Sequence, residues 1–209
     1  MGSVERRTRE RENTRAKIVD AARKMFVLRG YEATTMRGIA DEVEYTPTAI
    51  YHHFRNKEAL LKELCAIDFR ALALTFQKIG RVEDPIERLQ RLGEAYVEYA
   101  HAHPMQYQLM FMTPRPHFEL DAEPDGDPSM RAYHFLQQTC VDAIATKRLR
   151  PEFNDPDTLA QMAWATVHGL VSLRIVKAHD DWIAWGDLRK SARQACRTLI
   201  RGMLKESAD

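Results

Sequence analysis

The sequence contains few of the residues that mark disulfide-rich, disordered or membrane-spanning chains. Its 209 residues include three widely spaced cysteines, Cys65, Cys140 and Cys196, with no Cys-x-x-Cys pair, so neither a disulfide framework nor a zinc site is indicated. Nine glycines and nine prolines are too few for long disordered stretches. No segment approaches the roughly 20 apolar residues of a membrane helix, and the first turns lack the apolar core of a secretory signal. We therefore expect a soluble, cytoplasmic protein with no membrane partner, and cysteines that are small core residues.

Catalytic motifs are also missing. There is no G-x-S-x-G, no H-E-x-x-H and no glycine-rich phosphate loop. The histidines His101, His103, His117 and His168 offer the best case for an enzyme, but an H-x-H pair with no third ligand at fixed spacing is weak. We expect no enzymatic activity, no cofactor and no metal, and keep a metal-dependent enzyme as an alternative.

Basic and acidic residues nearly balance over the whole chain, but they are unevenly placed. The net charge is +1. Residues 1–57 hold twelve basic and eight acidic residues, a balance of +4, and the remaining residues hold nineteen and twenty-two, a balance of −3. A basic N-terminal quarter is a weak indication of a polyanionic partner, and a solvated charged face explains it equally well.

Apolar residues recur at helical spacing along almost the whole chain, and no alternating strand pattern stands out. The pattern predicts an all-α fold of about nine helices. Capping residues, prolines and glycines set the predicted bounds, while residues 113–129, with four prolines and five acids, predict a surface loop. The helices are expected at 14–30 after a Thr14 cap, 36–43 after Thr35, 47–53 after Thr46, 57–79 after Asn56, 85–101, a short stretch after Pro104, 130–149, 156–179 and 187–205.

Residues 14–57 have the pattern of a helix-turn-helix unit, with two short helices after a longer one. In such a unit the second helix of the pair enters the DNA major groove, which makes 47–53 the predicted recognition helix. Thr48 and Ala49 are short enough to let the backbone approach base edges. His52 can reach a base or a phosphate, and Tyr51 and His53 can donate to phosphate oxygens.

The flanks of this helix supply further candidate contacts. Thr35 and Thr46 stand at helix starts and can donate to phosphate, Arg37 projects from the supporting helix, and Lys57 begins the next helix, where free N–H groups favour an anion. Each side chain also has a structural explanation: the tyrosine can cap a core, and the paired histidines can form a solvated helix end. The combination of cap, proline and basic flank in register favours DNA binding.

The stretch IVDAARKMFVLRGYEATTMRGIADEVEYTPTAIYHHFRNKEALLKEL resembles the N-terminal domain of the TetR family of bacterial transcriptional regulators. The similarity covers about residues 14–64, with G-Y-x-x-T-T, I-A, Y-x-H-F and N-K-E-x-L-L in the family's order. It implies an all-helical homodimer that binds a palindromic operator in double-stranded DNA and has no catalytic activity. It also implies DNA contacts at seven positions: Thr35, Arg37, Thr46, Thr48, Tyr51, His52 and Lys57.

One position departs from the family pattern. The family usually has a glycine in the turn where this chain has Glu44. A non-glycine residue in a left-handed conformation costs about 1 kcal/mol, and an acid near DNA opposes phosphate. We expect Glu44 to point away from DNA, or operator affinity to be modest.

The chain divides into three predicted segments: a flexible basic arm at 1–13, a helix-turn-helix domain at 14–60, and a ligand-binding and dimerisation domain at 61–209. The arm is expected to be a disordered tail. The alternative is a minor-groove or phosphate contact by its four arginines, Arg6, Arg7, Arg9 and Arg11.

The body resembles one type of TetR-family C-terminal domain, named for a Trp–His–Gly signature. AWATVHGLVSL at 163–173 and HPMQYQLMF at 103–111 carry this similarity, over about 85–179. It implies ligand sensing and dimerisation. Cavity-lining residues should be large and apolar with a few polar groups, and core packing is the alternative for each. The candidates are Tyr96, Tyr99, Met105, Tyr107, Met110, Phe111, Tyr133, Trp164 and His168.

Two apolar stripes on the last two helices predict the dimer contact, a four-helix interface built from two subunits. We therefore expect a ligand-responsive transcriptional repressor that a small, mainly apolar effector releases from its operator. The alternative is a helical DNA-binding or interaction protein without an effector. The stripe residues are Leu159, Met162, Thr166, Leu170 and Leu173 on one helix and Leu188, Ala192, Ala195, Leu199 and Met203 on the other.

Overall fold

A computed structural model describes residues 2–114 and 128–206. Within these residues the chain forms nine α-helices and no β-strand, apart from an isolated antiparallel bridge between Leu149 and Leu204. The predicted all-α fold is confirmed. The helices are α1 (Ser3–Arg29), α2 (Met36–Glu42), α3 (Pro47–Tyr51), α4 (Lys57–Ile79), α5 (Pro85–Ala102), α6 (Pro104–Phe111), α7 (Pro128–Ala145), α8 (Pro156–Val176) and α9 (Leu188–Met203).

Most of these helices begin directly after the capping residues that the sequence predicts. Each capping oxygen accepts a backbone N–H from the first turn and so pairs a group that would otherwise have no partner in the helix. The Asn56 Oδ1 atom plays the same part for α4, accepting from the Ala59 N–H at 2.8 Å. The other caps are Thr35 on α2, Thr46 on α3, Asp84 on α5, Asp155 on α8 and Asp187 on α9.

The start of α1 differs from the prediction. The helix begins at Ser3, so Thr14 lies inside it and donates its hydroxyl to the Glu10 carbonyl at 3.0 Å. The Glu5 carboxylate accepts the Gly2 N–H at 3.2 Å, and the arginines and glutamates that follow are good helix formers. Residues 3–13, predicted as a flexible arm, are therefore helical in this structure.

Helix ends are predicted less well than helix starts. The helix α3 ends at Tyr51 instead of His53, and α7 ends at Ala145 instead of about Leu149. Lys147, with φ of 58°, is left-handed just after α7, and no glycine marks that position in the sequence. Most of the predicted loop 113–129 lies outside the described residues, and its last two residues begin α7.

Contacts divide the chain into two compact units. The first comprises Met1–Asp68 and Pro104–Asp121. Its core contains fully buried side chains of α1, α2, α3 and α4. The helix α6 packs on α1, and its Tyr107 is fully buried. This division differs from the predicted segments 14–60 and 61–209, because the chain returns to the first unit at α6.

The second unit, Phe69–His103 and Ala122–Asp209, is a bundle built from α5, α7, α8 and α9. A Cβ atom added at Gly93 would lie 2.6 Å from the Cys196 sulfur, so the close approach of α5 and α9 requires glycine there. All three cysteines are buried, as predicted. Burial is the main cause that raises the pKa of the Cys140 thiol to about 12 and that of Cys196 to about 11.

Candidate nucleic-acid interface

The short helix α3 is anchored by two apolar side chains, since Ile50 and Phe54 are both buried. A hydrogen bond from the Tyr45 N–H to the Ala40 carbonyl, at 3.0 Å, closes the turn between α2 and α3. With the apolar side chains directed inward, the polar side chains are left on the outer surface. Six predicted contact residues are exposed, Thr35, Arg37, Thr46, Thr48, Tyr51 and His52, and Ala49 is half-buried.

Tyr51 does not cap the core. Tyr51 is 54% exposed, a larger exposed fraction than that of a half-buried tyrosine whose ring covers a core and whose hydroxyl alone reaches solvent. His52, the next residue, is also exposed. These two side chains therefore form a polar surface with no packing function inside the first unit.

His53 is less accessible than its exposed neighbours Tyr51 and His52. It is half-buried, and its Nδ1 atom is buried without a hydrogen-bond partner among the described residues. Burial lowers the pKa of His53, and the positive charges of Arg11, Arg15 and His52 lower it further. His53 is therefore neutral near pH 7 in the free protein.

Lys57 has an intramolecular role that the sequence did not suggest. Its Nζ atom donates to the Tyr31 carbonyl at 2.7 Å and lies 4.1 Å from the centroid of the Tyr31 ring. These contacts join the start of α4 to the turn that precedes α2. The ammonium group thus holds the two supporting elements together, whereas the sequence suggested only a phosphate contact.

Glu44 adopts the left-handed conformation that the family's glycine would favour. Its φ is 59°, its N–H donates to the Asp41 carbonyl at 3.2 Å, and its side chain is exposed. A residue with a Cβ atom in this conformation stores about 1 kcal/mol of strain. The turn thus carries both an unfavourable backbone conformation and an exposed acidic side chain.

Two substitutions separate these effects. Glu44→Gly is expected to raise the free energy of unfolding by about 1 kcal/mol, because glycine adopts positive φ without strain. Glu44→Gln keeps the Cβ atom and is expected to leave stability nearly unchanged, while both variants remove the charge. Urea unfolding measures the difference, and equal stabilisation by the two variants would contradict the strain explanation.

Polar side chains also meet inside the second unit. The Trp164 Nε1–H donates to the Tyr96 hydroxyl oxygen at 3.1 Å, and that hydroxyl lies 3.0 Å from His168 Nδ1. An indole nitrogen can only donate, so the Tyr96 hydroxyl accepts from Trp164. Burial lowers the pKa of His168, which favours the neutral ring.

The nine predicted ligand-binding residues are divided between the two units. Tyr133 stacks against Trp164, with ring centroids 6.1 Å apart, and so joins the Tyr96–Trp164–His168 network. Tyr99 instead packs on the His103 ring at 4.9 Å. The remaining four belong to α6 in the first unit: Met105, Tyr107, Met110 and Phe111.

The His168 network should make the second unit sensitive to acid. A folded-state pKa below the ordinary 6.5 means that the unfolded chain binds the proton more readily. The network's contribution to stability is therefore complete above about pH 6.5 and is lost as the pH falls below it. His168→Asn, which keeps a polar group that can hydrogen-bond Tyr96 but cannot be protonated, is expected to flatten this dependence. Urea unfolding from pH 7.5 to pH 5 checks it, and His134→Asn, at an exposed histidine of α7, should behave as the wild type.

The residues predicted to form the dimer contact differ in how exposed they are in the structure. Leu159, Ala192 and Met203 are buried within their own unit and have no surface to offer a partner. Leu173 is 55% exposed. The other six are half-buried: Met162, Thr166, Leu170, Leu188, Ala195 and Leu199.

The helix α8 has an apolar face that the described part of the chain leaves largely exposed. Val176 is 62% exposed, and a Cβ atom added at Gly169 would meet no atom within 4 Å, so packing within the subunit does not explain that glycine. Among the described residues α8 is the one helix that could cross a membrane by length and composition, which is weak evidence on its own. Only 22% of its most apolar window is buried.

A tri-helical unit whose short third helix displays polar side chains defines the class of helix-turn-helix DNA-binding proteins. A family model for bacterial regulatory proteins of the tetR family matches residues 18–64, and one for the tetracyclin repressor-like C-terminal domain matches residues 89–199. The chain belongs to the TetR family of bacterial regulatory proteins.

Individual relatives agree with this assignment. The transcriptional repressor KstR2 of Mycobacterium tuberculosis is 36% identical over 98 residues, which is 45% of this chain and 49% of that protein. The transcriptional regulator UidR of Escherichia coli K12 is 35% identical over 91 residues, 43% of this chain and 40% of that protein. The matched segment therefore spans about half the length of these relatives, or less.

Solved structures share the fold over nearly the whole chain. The ketosteroid transcriptional regulator KstR2 of M. tuberculosis superposes with a TM-score of 0.67 at 23% identity, covering 92% of this chain and 96% of that one. The fatty acid degradation regulator FadR of Bacillus halodurans has a TM-score of 0.68 at 17% identity, covering 90% and 95%. At these identities the similarity establishes the fold.

Proposed function

We propose that this protein is a ligand-responsive repressor that binds a palindromic operator in double-stranded DNA through α3. The observation that carries the proposal is the exposed polar surface of Thr48, Tyr51 and His52 on a helix anchored by Ile50 and Phe54. Helix-turn-helix recognition needs a short, rigid element whose outward side chains reach bases and phosphates. Thr35, Arg37 and Thr46 extend the same surface.

The protein acts as a homodimer in this proposal, with α8 supplying the main contact. Leu173, Val176 and the half-buried Leu170 lie on one side of the helix around Gly169. A glycine with open space beside it allows a partner helix to approach closely. A two-fold dimer would hold two α3 helices ~34–36 Å apart, one turn of DNA.

The effector site is proposed in the second unit, around Tyr96, Tyr133, Trp164 and His168. Aromatic surface with a hydrogen-bonded polar group suits a small, mainly apolar ligand. An effector lowers operator affinity only by its differential binding to the DNA-bound and free conformations. The helix α4 contributes residues to both units and is the proposed link.

DNA binding is tested by selecting bound sequences from a random duplex pool and measuring affinity for the recovered duplex by fluorescence anisotropy. We expect Tyr51→Phe and His52→Ala each to weaken binding of the dimer by roughly 30-fold or more, because each removes two contacts, one per subunit, of at least about 1 kcal/mol. His101→Ala, at an exposed histidine far along the sequence in α5, should bind as the wild type. Binding to all sequences alike, with strong salt dependence, would overturn the operator proposal.

The effector is tested by adding fatty acids and ketosteroids to the protein–DNA complex, since these compound classes appear in the names of two structural neighbours. An inducer should both bind the free protein and release the duplex. Tyr96→Phe should weaken the inducer, because it removes the hydroxyl that joins Trp164 and His168. A compound that saturates the protein but leaves operator affinity unchanged would contradict the inducer mechanism.

A further inference from the structure

The first turns of α1 carry a row of arginines that the proposed α3 surface does not use. Residues 5–13 are all exposed, so this part of the helix is held by its continuity with the packed part of α1. Arg7, Arg11 and Arg15 are spaced four residues apart and therefore lie along one face. We call these three residues the arginine ridge.

The arginine ridge continues the face of α1 that forms the core. Ile18 and Ala22, which follow Arg15 at helical spacing, are both fully buried. The same face is thus apolar where it meets the rest of the first unit and basic where it extends beyond it. If the start of α1 contacted only solvent, its arginines would have no reason to continue the face that is apolar and buried further along the helix.

Two contacts place the ridge beside the end of the recognition helix. The Arg15 guanidinium lies 4.8 Å from the centroid of the Phe54 ring and forms a 2.7 Å salt bridge with Glu63. One turn earlier, Arg11 is the nearby charge that most lowers the pKa of His53, after burial. The ridge therefore runs past His53 and Phe54, at the C-terminal end of α3.

We propose that Arg7 and Arg11 bind backbone phosphates at the edge of the groove that α3 enters, making the start of α1 a second DNA-binding element. This proposal rests on the proposed function of α3. The helical segment 3–13 is roughly 16 Å long, enough to follow the DNA backbone beside the groove. Guanidinium groups bind phosphate with two parallel hydrogen bonds. Arg15 is excluded because Glu63 already holds it.

The other two arginines of segment 3–13 provide controls. Arg9 lies half a turn away from the ridge, on the opposite face of the helix. Arg6 pairs with Glu10 at 3.6 Å, and both side chains are highly exposed. Replacing Arg9 removes one charge from the same segment without touching the ridge.

The experiment compares wild type, Arg7→Ala/Arg11→Ala and Arg6→Ala/Arg9→Ala, so that both double variants lose the same charge. Their affinity for the selected operator duplex is measured by anisotropy from 50 to 300 mM KCl. For a dimer the ridge variant loses four phosphate contacts, so the slope of log K against log[KCl] should become shallower by about 3.6. We expect affinity to fall by more than about 10-fold at 0.1 M salt, with little change for the control variant.

Each outcome has a separate meaning. Alanine is a good helix former at exposed sites, so both variants should fold, and thermal melting verifies this. Equal slopes for the two double variants would overturn the ridge while leaving α3 recognition intact. No sequence-specific binding by the wild type would overturn the proposed function itself. An effect of the ridge that disappears when flanking A·T pairs become G·C would point to minor-groove reading and overturn the phosphate assignment.

Discussion

Replacing Asp68 with leucine is expected to lower the free energy of unfolding by about 3–5 kcal/mol. Asp68 and Arg23 are 3% and 8% exposed. The guanidinium and carboxylate are joined by hydrogen bonds of 2.8 and 3.3 Å between α4 and α1. Removing the carboxylate leaves a buried cation that, among the described residues, keeps a salt bridge with the exposed Asp20 carboxylate, at 2.8 Å. Urea unfolding at pH 7 measures the loss.

The double variant Arg23→Met/Asp68→Leu distinguishes a buried unpaired charge from lost packing. Because Arg23→Met removes the uncompensated cation, the double variant should recover most of the stability lost by Asp68→Leu alone. Lys24→Met provides a surface comparison, since the Lys24–Glu42 pair at 2.9 Å is partly exposed and solvent screens it, so its loss should change stability little. A double variant as unstable as the single one would contradict the charge argument.

Leu173→Glu is expected to produce a monomer and to weaken operator binding by on the order of 100-fold, the usual advantage of two linked binding sites over one. A carboxylate on the apolar face of α8 would have to be desolvated in the proposed interface. Sedimentation velocity gives the oligomeric state, and anisotropy gives the affinity. The folded subunit should be unaffected because Leu173 is largely exposed in it.

Leu74→Glu is the matched control, since Leu74 of α4 is 57% exposed and lies outside the proposed interface. This variant should remain a dimer and bind DNA as the wild type does. If both glutamate variants remain dimeric, the contact lies elsewhere on the chain. If both variants become monomeric, the dimer contact is not specific to α8.

Helix starts could be predicted because capping is local chemistry. Thr35, Thr46 and Asp187 each accept a backbone N–H three residues later, and this needs no information from the rest of the fold. The start of α1 was predicted wrongly because a threonine can also lie inside a helix. There its hydroxyl donates to the carbonyl four residues earlier, as Thr14 does to Glu10. The end of α7 was missed because Lys147 takes a conformation that usually signals glycine.

The candidate sites depend on contacts that are distant in sequence, and these were harder to predict. The exposed side chains of α3 could be predicted from the periodicity of this one helix, because Ile50 and Phe54 define its inner face. The role of Lys57 depends on the Tyr31 carbonyl, 26 residues earlier, and no local pattern reveals it. The dimer stripe included Leu159 and Ala192 because helical periodicity identifies apolar positions without showing which of them the subunit itself buries.

The brevity of α3 has an evolutionary consequence. Of its five residues, only Ile50 is buried. Substitutions at exposed positions away from caps usually change stability by less than about 0.5 kcal/mol, so Thr48 and Tyr51 can vary without loss of the fold. Regulators that share this architecture can therefore acquire new operator sequences through a few surface changes, while the scaffold that presents them stays the same.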